Sequence, residues 1–415
     1  MSDLDKRLAA LSPEKRALFE SMLKKQGLHS SSPTEAPSEA AASDSASRAG
    51  AASSQEVAEA HGNRYEMDFS LFFFSEDGSE SKRNKYELLI ESAKFADEHG
   101  FIGVWTPERH FHAFGGPYPN PSIIAAALAM ITCKIELRAG SVVLPLHNPL
   151  RVVEEWAVVD NLSEGRVSIS FASGWHLDDF VLAPDKYANR KESVYRDIQL
   201  VKKLWAGEAL PCRGVNGQEV SVVTYPRPLS AHLPVWVTSA GNAETFRMSG
   251  EIGANILTGL TGQQVSDLAG KIKLYREALA RNGYDPSAGK VALMLHTLVG
   301  DRDSEVREKV RQPMYDYLRV NLGLHEKMAQ RRQVNIGSDS FSADDEDTLL
   351  SFAFDRYWKG GALFGTPETC LQMVSRLKEI GVTEIACLVD FGLDNETVLE
   401  GLTRLDKLRA CCAAK

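Results

Sequence analysis

No CxxC pair occurs among the six cysteines, Cys133, Cys212, Cys370, Cys387, Cys411 and Cys412. That spacing argues against a zinc site or a disulfide framework and points to a reducing compartment. No apolar stretch approaches the ~20 residues needed to cross a bilayer, and the N-terminus lacks the basic-then-apolar layout of a signal peptide. The expected location is therefore cytoplasmic, with no membrane partner. Basic residues form no stripe, and the formal net charge of −9 comes from 56 acidic and 47 basic side chains, which argues against nucleic acid. A GxGxxG fingerprint is missing after the first strand-like run, so an open dinucleotide-binding sheet is set aside in favour of other α/β folds.

What is present falls into three regions. Residues 1–27 carry apolar positions at helical spacing, with Ser12-Pro13-Glu14 as a helix start and Gly27 as a stop, a short charged helical segment. Residues 28–63 are almost entirely Ser, Ala, Glu, Pro and Gly; they bury too little surface to offset the entropy of ordering, so a flexible linker is expected. Residues 64–415 have the composition of a globular domain. Eight strand-like runs, from MDFSLFFF through FIGVW, KIELRAGSVVL, RVSISFA, PVWVTS, ANILT and KVALMLHTLVG to TEIACLVDFG, alternate with helical ones. Such alternation predicts a (β/α)₈ barrel with insertions. Residues 321–350 read as an irregular insertion, either a mobile lid or a disordered loop.

In a barrel of this kind the chemistry sits in the loops after the strands. The loop after the second strand, WTPERHFHAFGG, supplies Glu108, Arg109, His110 and His112; the third leads to Ser141, Val142, Val143 and His147; the fourth gives Ser173, Gly174, Trp175, His176, Asp178 and Asp179; the fifth gives Ser239, Ala240, Gly241, Asn242 and Thr245. The small residues of SAGN let backbone N–H groups approach an anion at a helix N-terminus, or serve only as an ordinary cap led by Asn242. His110, His147 and His176 have the intrinsic pKa for proton transfer near neutral pH. His110 and His112 lack the i, i+4 geometry of HExxH, so no metal is expected. Glu108 and Arg109 either serve a ligand or pair with one another or with Asp178. Trp175 is a pocket wall or a core aromatic.

With these segments in view, the chain from about Met67 to Leu405 resembles the luciferase-like flavin monooxygenases. WTPERHFHAFGG, GSVVLPLHNPLRVVEEWAVVDNLSEGRVSISFASGWHLDDF, LPVWVTSAGNAET and FGTPETC occur in the family's order and spacing. The resemblance implies a (β/α)₈ barrel that binds reduced FMN, supplied by a flavin reductase, and uses O₂ to oxygenate an organic substrate. It implies cofactor contacts from Ser173, Gly174 and Trp175 and from Ser239 to Thr245, and a non-proline cis peptide at Val142–Val143 under the flavin ring. Two departures stand out: Arg109 occupies the position of the family's catalytic histidine, with His110 matching a second histidine, and Ala240 and Gly241 replace a glutamate and a serine. Light-emitting aldehyde oxidation is not what these residues predict.

The ERHFHAFGG and SGWHLDDF versions resemble a subfamily found within or beside nonribosomal peptide and polyketide synthases, and LSPEKRALFESMLKKQG resembles a peptide-synthetase lead-in helix. The expected substrate is an acyl or aminoacyl group held on a carrier protein, with hydroxylation and ester-forming insertion both open. Catalytic roles are expected for Glu108, Arg109, His110, His147 and His176. Alternatives are deazaflavin-dependent hydride transfer and a non-catalytic flavin-binding assembly protein. The family implies homodimers, and the helix RVVEEWAVVDNL offers apolar positions for one.

Overall fold

The computed structural model describes residues 66–74, 84–260, 263–331 and 343–413. The N-terminal helical segment and the Ala/Ser-rich linker read from the sequence lie outside these residues.

Eight parallel strands close into a barrel: β1 (Asp68–Phe72), β2 (Gly103–Thr106), β3 (Glu136–Val143), β4 (Val167–Ala172), β7 (Val235–Ser239), β8 (Asn255–Gly259), β9 (Val291–Val299) and β11 (Glu384–Leu388), with the β8–β9 pairing joining the ends. These are the eight runs read from the sequence. Helices α1 (Glu87–Glu98), α2 (Pro121–Ala129), α3 (Pro149–Leu162), α4 (Arg190–Ala206), α5 (Ala243–Glu251), α6 (Val265–Arg281), α7 (Asp303–Arg331), α8 (Ala343–Arg356), α9 (Pro367–Glu379) and α10 (Asn395–Cys412) surround it. Right-handed β–α–β alternation places each helix over the sheet it leaves, which closes the ring. Start signals are local and legible: Asn120 and Asn148 cap α2 and α3 through their side chains, each before a proline in the first turn, where the missing N–H costs nothing.

Three features depart from the sequence reading. Residues 321–350 are not an irregular insertion throughout, because α7 runs on to Arg331 and α8 begins at Ala343. Helix α7 runs through Pro313, as the helical run SEVREKVRQPMYDYLRV implies, and buries Met314 and Leu318 against the barrel. A two-stranded antiparallel ribbon, β5 (Leu210–Arg213) and β6 (Glu219–Val222), was not foreseen; a short strand, β10 (Leu363–Gly365), extends the pairing of β9. Helix α3 buries Val152, Val153, Trp156, Ala157 and Val159 in the core, leaving only Val158 and Leu162 of its apolar residues well exposed.

Strand alternation sends every second side chain into the barrel, in layers. The lower layer is polar and sealed. Arg138 Nη1 donates to both carboxylate oxygens of Glu384 at 2.8 Å, and Ser70 and Trp105 donate to the same carboxylate. Trp105 and Trp236 meet edge to face with centroids 5.2 Å apart, and the guanidinium lies over both rings. Burial works against the charge on Arg138, but Glu384 and Glu136 overcome it and push its pKa up. Above this floor, Phe72, Gly140, Thr238, Gly259, Met294 and Leu388 open into a cavity.

Candidate active site

The cavity at the carboxyl ends of the strands holds about 250 Å³, near the lower edge of the range for small-molecule sites. Aromatic and aliphatic side chains make most of its wall, including Phe72, Phe74, Phe114, Val143, Met294 and Tyr317. Its polar groups are few: Glu108, Arg109, Ser141, Asp179, Thr238, Ser239 and Thr258. Of the residues singled out from the sequence, Glu108, Arg109, Ser141, Val143, Gly174, Trp175, Asp179, Ser239 and Ala240 line it. His110, His147, His176, Val142, Ser173, Gly241, Asn242 and Thr245 stand outside that lining.

Glu108 is the node of the mouth. Its carboxylate accepts from His110 Nε2 at 2.9 Å, His147 Nε2 at 2.5 Å and the Val143 N–H at 2.7 Å. It pairs with these histidines rather than with Arg109, because the loops after β2 and β3 converge while the guanidinium turns to the loop after β4. Burial alone would raise the Glu108 pKa; the hydrogen bonds from His110 and His147, the His147 charge and the Val143 N–H outweigh it and hold it below the usual carboxylate value. Burial likewise pulls His147 down, but its bond to Glu108 and the charges of Glu108 and Glu155 push it above the usual imidazole value. A depressed acid loses its stabilising effect as pH falls through its folded pKa, and a raised imidazole loses its effect as pH rises through its own. The pair is thus fully formed between those limits. Replacing His147 with glutamine is expected to remove on the order of 1 kcal/mol at pH 6, after allowance for partial exposure, and almost nothing at pH 9. Melting temperatures of the two proteins at both pH values test this.

Arg109 is only 2 % exposed. Its Nη1 reaches Asp179 Oδ2 at 3.4 Å, not Asp178, and its guanidinium sits 4.8 Å from the Trp175 ring. Nε and Nη2 have no hydrogen-bond partner among the described residues. Burial lowers the Arg109 pKa and Asp179 partly opposes this, yet an arginine stays charged. His176 Nδ1 stands 3.7 Å from Asp179 Oδ1, too far for a hydrogen bond. The arrangement is a buried cation with two donor nitrogens uncommitted beside a mostly apolar chamber.

The remaining contacts come from backbone shape. The cis peptide lies at Gly140–Ser141, not at the Val142–Val143 link expected from the resemblance. The register with β4 slips between Gly140 and Val142. Only glycine fits at 140, since a Cβ there would lie 2.9 Å from Phe72 Cε2. Ser141 Oγ and Ser170 Oγ both hydrogen-bond to Thr238 Oγ1, at 2.5 and 2.7 Å. Asn242 caps α5 by accepting from the Glu244 N–H at 3.0 Å, while the Gly241 N–H is engaged by Ser239 Oγ at 3.2 Å. Gly174 has φ +78°, and a Cβ would fall 2.7 Å from Phe180 Cε2 and 2.8 Å from Val143 Cγ1. Gly174→Ala is therefore expected to destabilise by about 2–3 kcal/mol from strain plus overpacking, which urea unfolding measures.

The family's sequence model, described as luciferase-like monooxygenase, matches residues 67–384. The chain belongs to the luciferase-like monooxygenase family. A flavin-dependent trigonelline monooxygenase, oxygenase component, of Acinetobacter baylyi is 26 % identical over 349 residues, 82 % of this chain and 93 % of that protein. The oxygenating constituent of 3,6-diketocamphane monooxygenase from Pseudomonas putida, a type II Baeyer-Villiger monooxygenase solved with FMN, superimposes with a TM-score of 0.65 at 19 % identity, over 84 % of this chain and 99 % of that one. An F420-dependent secondary alcohol dehydrogenase shares the fold with a TM-score of 0.63 at 17 % identity, over 84 % and 100 % of the two chains.

As a luciferase-like enzyme, the chain is a flavin-dependent monooxygenase. Its cavity fits a flavin: apolar walls suit the ring faces, and the uncommitted Arg109 donors beside Ser141, Thr238 and Thr258 suit an edge rich in oxygen and nitrogen acceptors. Asp179 is read at the mouth from the sequence, but the partner expected for Arg109 there is Asp178. Other contributors escaped the sequence reading: Thr238 directly precedes a recognised Ser239. Tyr317 comes from α7, and no spacing ties it to the mouth. His296 on β9 packs among the rings of Tyr317, Tyr357 and Phe391 outside the cavity lining, and burial pushes its pKa down to about 3, so it is held neutral behind Tyr317.

Proposed function

We propose that this monooxygenase uses reduced FMN, delivered by a separate flavin reductase, and O₂ to hydroxylate, or insert oxygen into, an acyl or aminoacyl group held on a carrier protein during nonribosomal peptide or polyketide assembly. The observation that carries the reading is Arg109: a buried guanidinium whose Nε and Nη2 lack partners among the described residues, facing a mostly apolar chamber. Leaving such donors unpaired costs ~1–3 kcal/mol or more, so the site is built for an oxygen acceptor, such as the carbonyl of a thioester-bound acyl group or the flavin edge.

When bound, the reduced flavin supplies two electrons to O₂, one oxygen entering the substrate and the other leaving as water. The chain's own residues hold, orient and exclude. Phe72, Phe74, Phe114 and Tyr317 keep water from the reacting atoms. Glu108 faces the cavity with His110 and His147 behind it, so a proton on His147 is held one hydrogen bond from the chamber. Val158 and Leu162 on α3, with Ile123 on α2 and Met130 at its end, expose apolar surface that supports a homodimer.

The test supplies ¹⁸O₂ to the full chain with reduced FMN and an acyl-loaded carrier protein, followed by mass spectrometry of the acyl group. One ¹⁸O in the acyl product is expected. Turnover without O₂ on a reduced deazaflavin would replace this reading with hydride transfer.

A further inference from the structure

A second cavity, of about 310 Å³, opens where β8 ends and α6 begins. Three cations line it, Arg356, Lys359 and Arg376, with Gln263, Ser266 and Tyr357, and no carboxylate belongs to the lining. In a chain of formal net charge −9 this is a local reversal of sign. Lys359 and Arg376 have no ion-pair or hydrogen-bond partner among the described residues. Asp267, whose charge acts on Arg356 and Lys271, is committed to the Gln264 N–H at 3.0 Å in the capping box that starts α6. Like charges gathered in a concavity repel one another unless an anion joins them.

The two cavities are neighbours with a wall between them. Gly259 borders the first and the adjoining Leu260 the second. Gln263, 3 % exposed, donates to Thr258 Oγ1 and to the Gly259 carbonyl and accepts from Lys271 Nζ at 2.7 Å. Its amide also stands where a Cβ on Gly241 would go, 3.2 Å away. With both ends of its amide held, Gln263 stands between the Ser239–Thr245 loop and the second cavity, while the adjoining Gly259 and Leu260 offer the line along which an arm would pass from one cavity to the other.

We infer that this second cavity is a phosphate subsite for the substrate rather than the cofactor, holding the phosphodiester of the pantetheine arm by which a carrier protein presents its acyl group. The inference rests on the carrier-bound reading above. A phosphate oxygen set accepts from the Arg376 and Arg356 forks and from Lys359, while the acyl end lies in the chamber beyond Gly259.

The test titrates 4′-phosphopantetheine, pantetheine and inorganic phosphate calorimetrically into the full chain saturated with FMN, and repeats this with Lys359→Ala/Arg376→Ala. Phosphopantetheine is expected to bind at least tenfold more tightly than pantetheine, and the double variant to abolish that preference while changing the FMN Kd less than twofold. A FMN Kd that rises with the double substitution overturns the inference, because the cavity then serves the cofactor. Equal binding of phosphopantetheine and pantetheine overturns it too. If inorganic phosphate still binds in a manner dependent on Arg376, an anion site remains and the pantetheine assignment falls. Failure of the carrier-bound reading shows separately, as an acyl carrier that gains no oxygen even though phosphopantetheine binds with the expected preference.

Discussion

Arg109→Met combined with Asp179→Leu is expected to leave the cofactor-free protein as stable as the parent, or ~1–4 kcal/mol more stable, while kcat/KM falls on the order of 10²–10³-fold. Both side chains are buried, at 2 % and 3 % exposure, and their contact of 3.4 Å is long. Such a pair returns little of what desolvating two charges costs, and two arginine nitrogens and Asp179 Oδ1 are left without partners among the described residues. Two apolar side chains of similar volume remove all of these penalties. Each single change does the opposite. Arg109→Met strands a buried carboxylate and is expected to cost about 3–5 kcal/mol. Urea unfolding of the four proteins gives the cycle, and steady-state kinetics gives the activity. A double variant as unstable as Arg109→Met would show that the pair holds the mouth together instead of waiting for a ligand.

At the other end of the barrel the same bookkeeping gives the reverse result. Glu384→Ala is expected to lower stability by ~3–5 kcal/mol and the melting temperature on the order of 10 °C. Arg138 and Glu384 have side-chain exposures of 0 % and 1 % and meet through two hydrogen bonds of 2.8 Å. Ser70 and Trp105 also donate to Glu384, so its loss leaves the buried cation with Glu136 alone, Ser70 without its acceptor, and Trp105 with only its bond to Ser70 Oγ at 3.0 Å. Glu384→Gln keeps the shape and some acceptors and should lose less. Melting curves of both variants separate charge from packing; equal losses would assign the effect to charge alone.

The barrel was legible because its signal is redundant. Runs such as KVALMLHTLVG are apolar throughout, as a strand covered on both faces requires, and helices start at Asn120 and Asn148 followed by proline. The β5–β6 ribbon carried only one cue, Asn216-Gly217, with Gly217 at φ +78°, and its residues are mostly exposed, so no apolar alternation marks it. At the site, chain-local motifs delivered Glu108, Arg109, Gly174 and Ser239. Which partner each would choose was not readable, since Arg109 prefers Asp179 to Asp178 and Glu108 prefers His147 through loop convergence across the mouth. That only glycine fits at 140 was not readable either, since Phe72, from another strand, imposes it.

The sealed lower layer makes the barrel a vessel closed at its base. Trp105, Trp236, Arg138 and Glu384, none more than 1 % exposed, block the axis at this end, so whatever reaches the chamber comes from the side of the strands' carboxyl ends. Traffic from one side is ordered by crowding: whatever lies deepest must enter first and leave last. If the flavin ring and a carrier-held acyl group enter as proposed above, the ring would have to go in first, and the finished acyl group would have to withdraw before spent flavin could be exchanged; an excess of unreacted acyl carrier is then expected to slow flavin exchange.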